Sequence, residues 1–555
     1  MESKNIILAQ TIAEFKFIKE RVNENIYCLP LNLDLIVYCE LNQIPYLNPA
    51  DYLDNSVHKE GLIDSDNFLK TINLKKIKEN IVKSRYKNLS RNYFNSIFFL
   101  KYLVNQIKKK ENVKKIYLSG WKKSDLYTPN KNFILSEICK KLFKNIFIIS
   151  HDQYTSKFIV KEYKIDDIDS ISKKNIIFLN FNYNFKRILF RLIINRKKIT
   201  YISFHKIKFF KRLIIKLLGI KIYFLKETDK NEKIKFNLPN IKIYKKSKEI
   251  TQLFNLRSNF FKYQLIDLIQ RCNGIKKLIS QLKPKLALVN NVRGVDGYLG
   301  KLSQIYKFNS ICISHGTVAE AFGKHDKIYK KIIVENVFSG DAKYFALQTK
   351  IAKRSLFTHK IKGKPIKTGN IIFATNNNYK RSNKYILYAV TMKDFINYQF
   401  FGVEMYYEYF ENLKKLDQIS NKNEFKIIVK PHPSISYLKN DLKKLFPNLI
   451  FSNKKIDTLL KKVFATISFS SSVIEDSICS KIPVILFDQW RRYKHCISCS
   501  DVKKRNKLVY YVNNLEKLTL AIHSIKNSKK FNYSQYLFHE NNVKKNIDNL
   551  LYRFT

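Results

Sequence analysis

Glycine and proline are scarce in this sequence, 13 and 11 among 555 residues. That scarcity excludes collagen-like and mucin-like tracts and arrays of flexible linkers. Acidic residues are also few: 45 Asp and Glu stand against 103 Lys and Arg, for a formal charge of +58. No uncharged apolar run of about 18 residues occurs, so no membrane span is expected. The opening MESKNIILAQTIAEFKFIKE lacks the apolar stretch of a secretory signal. The expected location is therefore the cytoplasm, with thiols reduced. Of the eight cysteines only Cys496 and Cys499 are closely spaced. A lone CxxC without a second pair does not define a zinc module, and no metal site is expected. Paired Cys/His fingers and RNP-like aromatic strands are missing too, so no nucleic-acid partner is expected.

What is present is a chain made to fold. It is 45% hydrophobic and 14% aromatic, which excludes wholesale disorder. Its length fits two or three domains. The lysines are spread along the whole chain, and three readings of the charge compete. One is a codon bias toward Lys, Asn, Ile, Phe and Tyr; the others are an anionic membrane surface and nucleic acid. The run KRILFRLIINRKKITYISFHKIKFFKRLIIKLLGIKIYF lies within an insertion expected at about 155–250. It reads either as an amphipathic surface on anionic lipid, peripheral at the inner face of the membrane, or as a packed segment with Lys-biased outer faces.

Short β-branched runs alternate with amphipathic stretches. Examples are NIFIIS (145–150), LALVN (286–290), YILYAVT (385–391), KIIVK (426–430) and VILFD (484–488). Runs of that length, bounded by turn residues, read as buried parallel strands with crossover helices between them. The fold class is α/β, with two Rossmann-like doubly wound domains. The Asn-rich, charged segment Thr375–Lys384 separates an N-terminal domain, 1–374, from a C-terminal one, 385–555.

Three motifs sit at strand ends, where open α/β sheets bind ligands. In IIVKPHP, Pro431 and Pro433 bracket His432 and hold it extended beyond Lys430. In ATISFSSSVIEDSICSK, Ser470, Ser471 and Ser472 fill a strand-to-helix turn. A helix start there is an anion site, and Ser472 with Glu475 has the spacing of a capping box. In SICISHGTVAEAF, His315-Gly316-Thr317 form a turn, and His315 is a natural general base. Upstream, NNVRGVDG places Asn291, Arg293 and Asp296 in another strand-end loop.

HGT, then KPHP, then SSS-x-x-E, in this order, resembles the GT-B glycosyltransferases of bacterial surface polysaccharide assembly. These include capsule transferases of the Kdo and sialic-acid type and the CDP-glycerol glycerophosphotransferases. The resemblance covers about Leu286 to Asp488. It implies two domains facing a cleft and a nucleotide-sugar donor (CMP-, CDP- or UDP-linked), with no other cofactor. It further implies a glycan or lipid-linked acceptor, at the membrane's inner face if the basic run docks there. His432 with Pro433, Lys430 and the three serines would hold the donor, with Glu475 on the ribose. His315 would be the base, with Asp296 and Glu320 as alternatives, and Gly316, Thr317 and Arg293 would lie on the acceptor side. One departure stands: Val318 follows Thr317 where the glycerophosphotransferases continue HGTP. That favours sugar transfer over polyol-phosphate transfer. An epimerase on the same fold and a noncatalytic assembly protein are the remaining readings.

Overall fold

The short β-branched runs become strands of three sheets. The computed structural model describes residues 3–77, 79–121, 131–151, 160–165, 175–178, 185–204, 207–230, 238, 247–314, 327, 328, 331, 332, 334, 335, 338, 340–356, 363–375, 384–394, 399, 400, 403–492, 494–538 and 542–555.

The first sheet holds β1 (Lys4–Ala9), β2 (Ile26–Pro30), β3 (Val113–Trp121) and β4 (Ile146–His151) in the order β2-β1-β3-β4, all parallel. The second is built from β5 (Val160–Ile165), β6 (Ile176–Phe178), β7 (Ile199–Ser203), β8 (Ile220–Lys230), β9 (Leu286–Val289), β10 (Asn309–Cys312), β11 (Tyr344–Leu347) and β12 (Lys364–Lys367). Its order is β12-β11-β10-β9-β6-β7-β8-β5, parallel except for the antiparallel edge pair β5 and β8. After the edge strand β5 the chain runs to β6, winds outward through β7 and β8, then returns beside β6 at β9 and winds the other way. That reversal is the mark of a doubly wound sheet. The stretch at about 155–250 supplies β5 to β8, so it is part of this sheet.

The third sheet repeats the scheme. It contains β13 (Tyr385–Tyr388), β16 (Lys426–Val429), β17 (Ile450–Phe451), β18 (Ala465–Ser468), β19 (Val484–Phe487) and β20 (Val509–Val512), with the small pair β14 (Met392–Lys393) and β15 (Glu404–Met405) beside it. The order β17-β16-β13-β18-β19-β20 reverses at β13, and every pair is parallel. Strands buried on both faces need continuous apolar sequence, and β9, β18 and β19 are buried at every position.

The sheets are joined through their helices. Tyr406, at the start of the helix Tyr406–Lys422, donates to the Pro30 carbonyl at 3.1 Å. Arg187 of the helix Lys186–Ile194 grips Asp457 through both carboxylate oxygens, at 3.0 and 3.1 Å. The helix Val543–Phe554 crosses back from the third sheet, so that Asp548 takes Arg191 and Phe554 packs on Tyr344. One apolar cluster contains Ile6, Ile177 and Ile386, a residue from each sheet. Among the described residues no helix is long and apolar enough to cross a membrane.

Candidate functional site at the strand ends

Because β16 and β18 flank β13, the turns that leave them stand on either side of the point where the third sheet reverses. That is the standard ligand position of such a sheet. Beyond β16, the Lys430 N–H donates to the Tyr388 carbonyl at 2.9 Å and extends the ladder by one residue. His432 is extended, φ −61° and ψ 144°, and Pro433 opens a short 3-10 turn, Pro433–Leu438. The His432 Nδ1 accepts the Ser434 N–H at 3.3 Å and meets its hydroxyl at 2.8 Å. Burial, then the charges of Lys393 and Lys430, hold the imidazole below its ordinary pKa. The neutral ring, with Nδ1 accepting, carries its proton on Nε2 and presents an N–H donor. Burial also lowers Lys430.

Beyond β18 the three serines have different jobs. Ser471 accepts the Val473 N–H at 3.4 Å through its hydroxyl, and its carbonyl accepts the Ile474 N–H at 3.0 Å. Ser472 has helical angles, φ −59° and ψ −11°, and makes no side-chain cap. The expected capping box of Ser472 and Glu475 is therefore not formed, because a cap residue must be extended for its hydroxyl to reach back. Glu475 is 1% exposed and meets His495 Nε2 at 3.1 Å instead. The Ser470 hydroxyl oxygen is buried and has no hydrogen-bond partner among the described residues. The helix Val473–Cys479 has seven residues, too short for a large dipole. What this turn offers a ligand is hydroxyls and turn N–H groups.

Next to these turns lies a buried polar network that the sequence did not reveal. Glu408 is fully buried and takes Arg492 at 2.7 Å and His58 Nε2 at 3.1 Å. Burial opposes the charge, but Arg492, His58 and the Met405 N–H outweigh it and hold the carboxyl below its usual range. Arg492 also lies 4.4 Å over the Phe469 ring, directly before the serine turn. Its own N–H donates to Asp488 at 2.6 Å, at the end of β19. Glu404 accepts from Tyr388 at 2.8 Å and from Asn412 at 3.0 Å. Burial pushes its carboxyl up to about 8, with nearby Glu408 adding to the shift. His58 comes from the helix Asn55–Lys70, so the network ties the first sheet's helices to the third sheet's strand ends. In the sequence these were only scattered polar residues, from 58 to 492.

The second sheet offers a different space. Beyond β9, Asn291 accepts the Arg293 N–H at 2.8 Å and donates to Asp296 at 3.1 Å. Gly294, at φ +58°, makes the turn into the helix Gly294–Ile305. Asp296 is 6% exposed, behind this turn. Asn291 and Arg293 line a cavity of about 670 Å³ with Arg85 and Asn88 of the helix Asn80–Lys110 and Arg271 of the helix Ser258–Leu282. Asp267 pairs with Arg271 at 2.9 Å, and Arg85 donates to Gln264 at 2.9 Å. Burial, then the like charge of Arg85, lowers Arg293. Arg85 and Arg293 thus share a cavity whose lining also holds Glu227 and Asp267. His315, Gly316, Thr317 and Glu320 lie outside the described residues. The structure thus brings Lys430, His432, Pro433 and the serines to one sheet edge, and puts Arg293 and Asp296 at another.

No family model matches the chain, and no curated protein matches it. Among solved structures it is similar to the UDP-GlcNAc 2-epimerase of Methanocaldococcus jannaschii in complex with UDP-GlcNAc and UDP. That likeness has a TM-score of 0.41 at 13% identity, over 69% of this chain and 99% of the other. It is also similar to MurG of Acinetobacter baumannii, at 0.35 and 8% over 68% and 99%. A third is Anabaena Alr3699/HepE in complex with UDP and glucose, at 0.34 and 10% over 69% and 95%. The α/β fold, with two doubly wound sheets, rests on the strand orders themselves.

Proposed function

We propose that the chain is a glycosyltransferase that uses a nucleotide-activated sugar. The donor's phosphate lies at the carboxyl end of β13, between the Lys430–Pro433 turn and the serine turn. One observation carries this reading: the two turns flank the reversal point of a doubly wound sheet, and the Ser470 hydroxyl is buried there with no partner among the described residues. A buried hydroxyl left unsatisfied is costly, and a ligand oxygen would relieve it. The His432 Nε2–H and Lys430 are the further donors proposed for the same charge.

In the reaction an acceptor hydroxyl attacks the donor's anomeric carbon. The new carbon–oxygen bond forms as the bond to the phosphate oxygen breaks, and that oxygen leaves with the electron pair. The hydroxyl proton passes to a base, for which His315 remains the proposed residue, with Asp296 and Glu320 as alternatives. Fixed donors at the leaving phosphate stabilise the charge as it develops, so turnover is expected to survive chelation of divalent metals. Glu475 is proposed as a support of the turn through His495, in place of the ribose contact. The acceptor, a surface glycan or a lipid-linked precursor, enters from the second sheet, where Arg85 and Arg293 suit one that carries an anionic group.

Calorimetry with CMP-, CDP- and UDP-sugars tests the donor site. We expect one nucleotide class to bind, and His432→Ala to weaken it about tenfold, the worth of one charge-assisted hydrogen bond. No binding by the wild type, or unchanged affinity in His432→Ala, would refute the site. Product analysis then separates sugar transfer from epimerisation of UDP-N-acetylglucosamine and from polyol-phosphate transfer out of CDP-glycerol.

A further inference from the structure

The helix Phe209–Leu217 is turned the wrong way out for a packed helix. Of its nine residues only Ile215 is buried. Phe209, Phe210 and Leu217 are 74%, 78% and 78% exposed, and Leu213 and Ile214 are exposed beside them. At 100° per residue these five share one face, opposite Ile215. Lys211 flanks that face on one side, and Arg212 and Lys216 on the other. On the helix Lys186–Ile194, Phe190 and Ile194 are exposed as well, at 63% and 50%. The contiguous apolar face of the helix Phe209–Leu217 marks a partner.

Charge says which partner. From Ser170 to Lys226 the sequence contains fifteen Lys and Arg and not one Asp or Glu. Beside the helix lies a cavity of about 430 Å³ whose lining includes Lys198, Arg212, Lys216 and Lys221. A second copy of this chain would bring the same cations to the same face, and like charges would oppose the pairing. A bilayer with anionic lipid answers both features. It takes the apolar face among its acyl chains and sets headgroup phosphates against the cations.

We infer that the helix Phe209–Leu217 lies in the interface of an anionic bilayer, with lipid phosphate seated in the Lys198–Arg212–Lys216–Lys221 cavity. This cavity reaches the amino-terminal ends of β7 and β8. Arg293 follows the carboxyl end of β9, and β9 runs parallel to β6 and β7. Docking at one end of the strands therefore leaves the other end open. The inference is independent of what binds at the third sheet.

Flotation of the full chain with vesicles tests it. Phosphatidylcholine vesicles should leave the protein free, and equimolar phosphatidylcholine and phosphatidylglycerol should carry it up. The double variant Phe209→Ser, Leu217→Ser keeps the charge and should cut partitioning at least ~10-fold. Arg212→Gln with Lys216→Gln should weaken it as well. Leu520→Ser, 41% exposed on the helix Leu515–Lys526 beside the third sheet, should change nothing. All these positions are exposed, so melting temperatures should match wild type and report that the variants fold. Equal flotation by wild type and the Phe209, Leu217 variant would mean that charge alone adsorbs the protein, and would overturn the inference. So would binding to neutral vesicles, or a dimer in sedimentation that this double variant dissolves.

Discussion

Ser470 and Ser471 are neighbours in sequence with opposite expected phenotypes. Ser471 serves the fold, because its hydroxyl takes the Val473 N–H. Ser471→Ala should cost about 1 kcal/mol of stability, the usual worth of a cap, and leave donor affinity alone. The Ser470 hydroxyl makes no hydrogen bond among the described residues. Ser470→Ala should leave the melting temperature unchanged or raised and weaken donor binding about tenfold. Parallel melts and titrations decide between these, and the reverse pattern would reassign the two serines. Glu404 offers a test by pH. Folded, it keeps its proton to about pH 8, whereas its ordinary value is 4.5. Between those values the folded chain holds a proton that the unfolded chain has released, so stability is full below 4.5 and is lost as pH rises toward 8. Glu404→Gln should flatten that fall in melts taken across the window.

Helices and strands explain which parts of the molecule could be read beforehand. Runs such as Leu286–Val289 and Val484–Phe487 declared themselves because strands buried on both faces need unbroken apolar sequence. The KPHP and serine turns followed, as strand ends with unusual residues. The cap could not be assigned, since spacing alone allowed Ser472 and only its backbone angles exclude it. The network of His58, Glu408 and Arg492 was hidden because its members lie hundreds of positions apart. The run at about 155–250 looked unlike a domain core because the helix Phe209–Leu217 turns its apolar face outward. One helix allows a sharper test. A Cβ on Gly300 would stand 2.6 Å from the Ala342 backbone nitrogen, in a place with no flexible side chain to yield. Gly300→Ala should push the helix Gly294–Ile305 off β11's approach and destabilise by about 1–3 kcal/mol, as overpacking does. It should also disturb Arg293 at the helix start, readable as a change in the denaturation midpoint together with weaker binding of an anionic acceptor.

At the scale of the whole molecule, a charge of +58 works against compactness. The pairs between sheets, such as Arg187 with Asp457, use some of the few carboxylates available. The remaining cations repel one another across the surface. Raising salt from a few millimolar to about 0.15 M shortens the screening length to roughly 8 Å and should raise the melting temperature. A fall would mean that attractive pairs outweigh the repulsion.

The returning helix Val543–Phe554 also sets an order of events during synthesis. It supplies Asp548 to Arg191 and Phe554 to Tyr344, both on the second sheet's side of the molecule. Those residues leave the ribosome only after every strand of the third sheet. The second sheet therefore emerges before the third but is sealed only after it, and its flank stays open to chaperones while the third is being made.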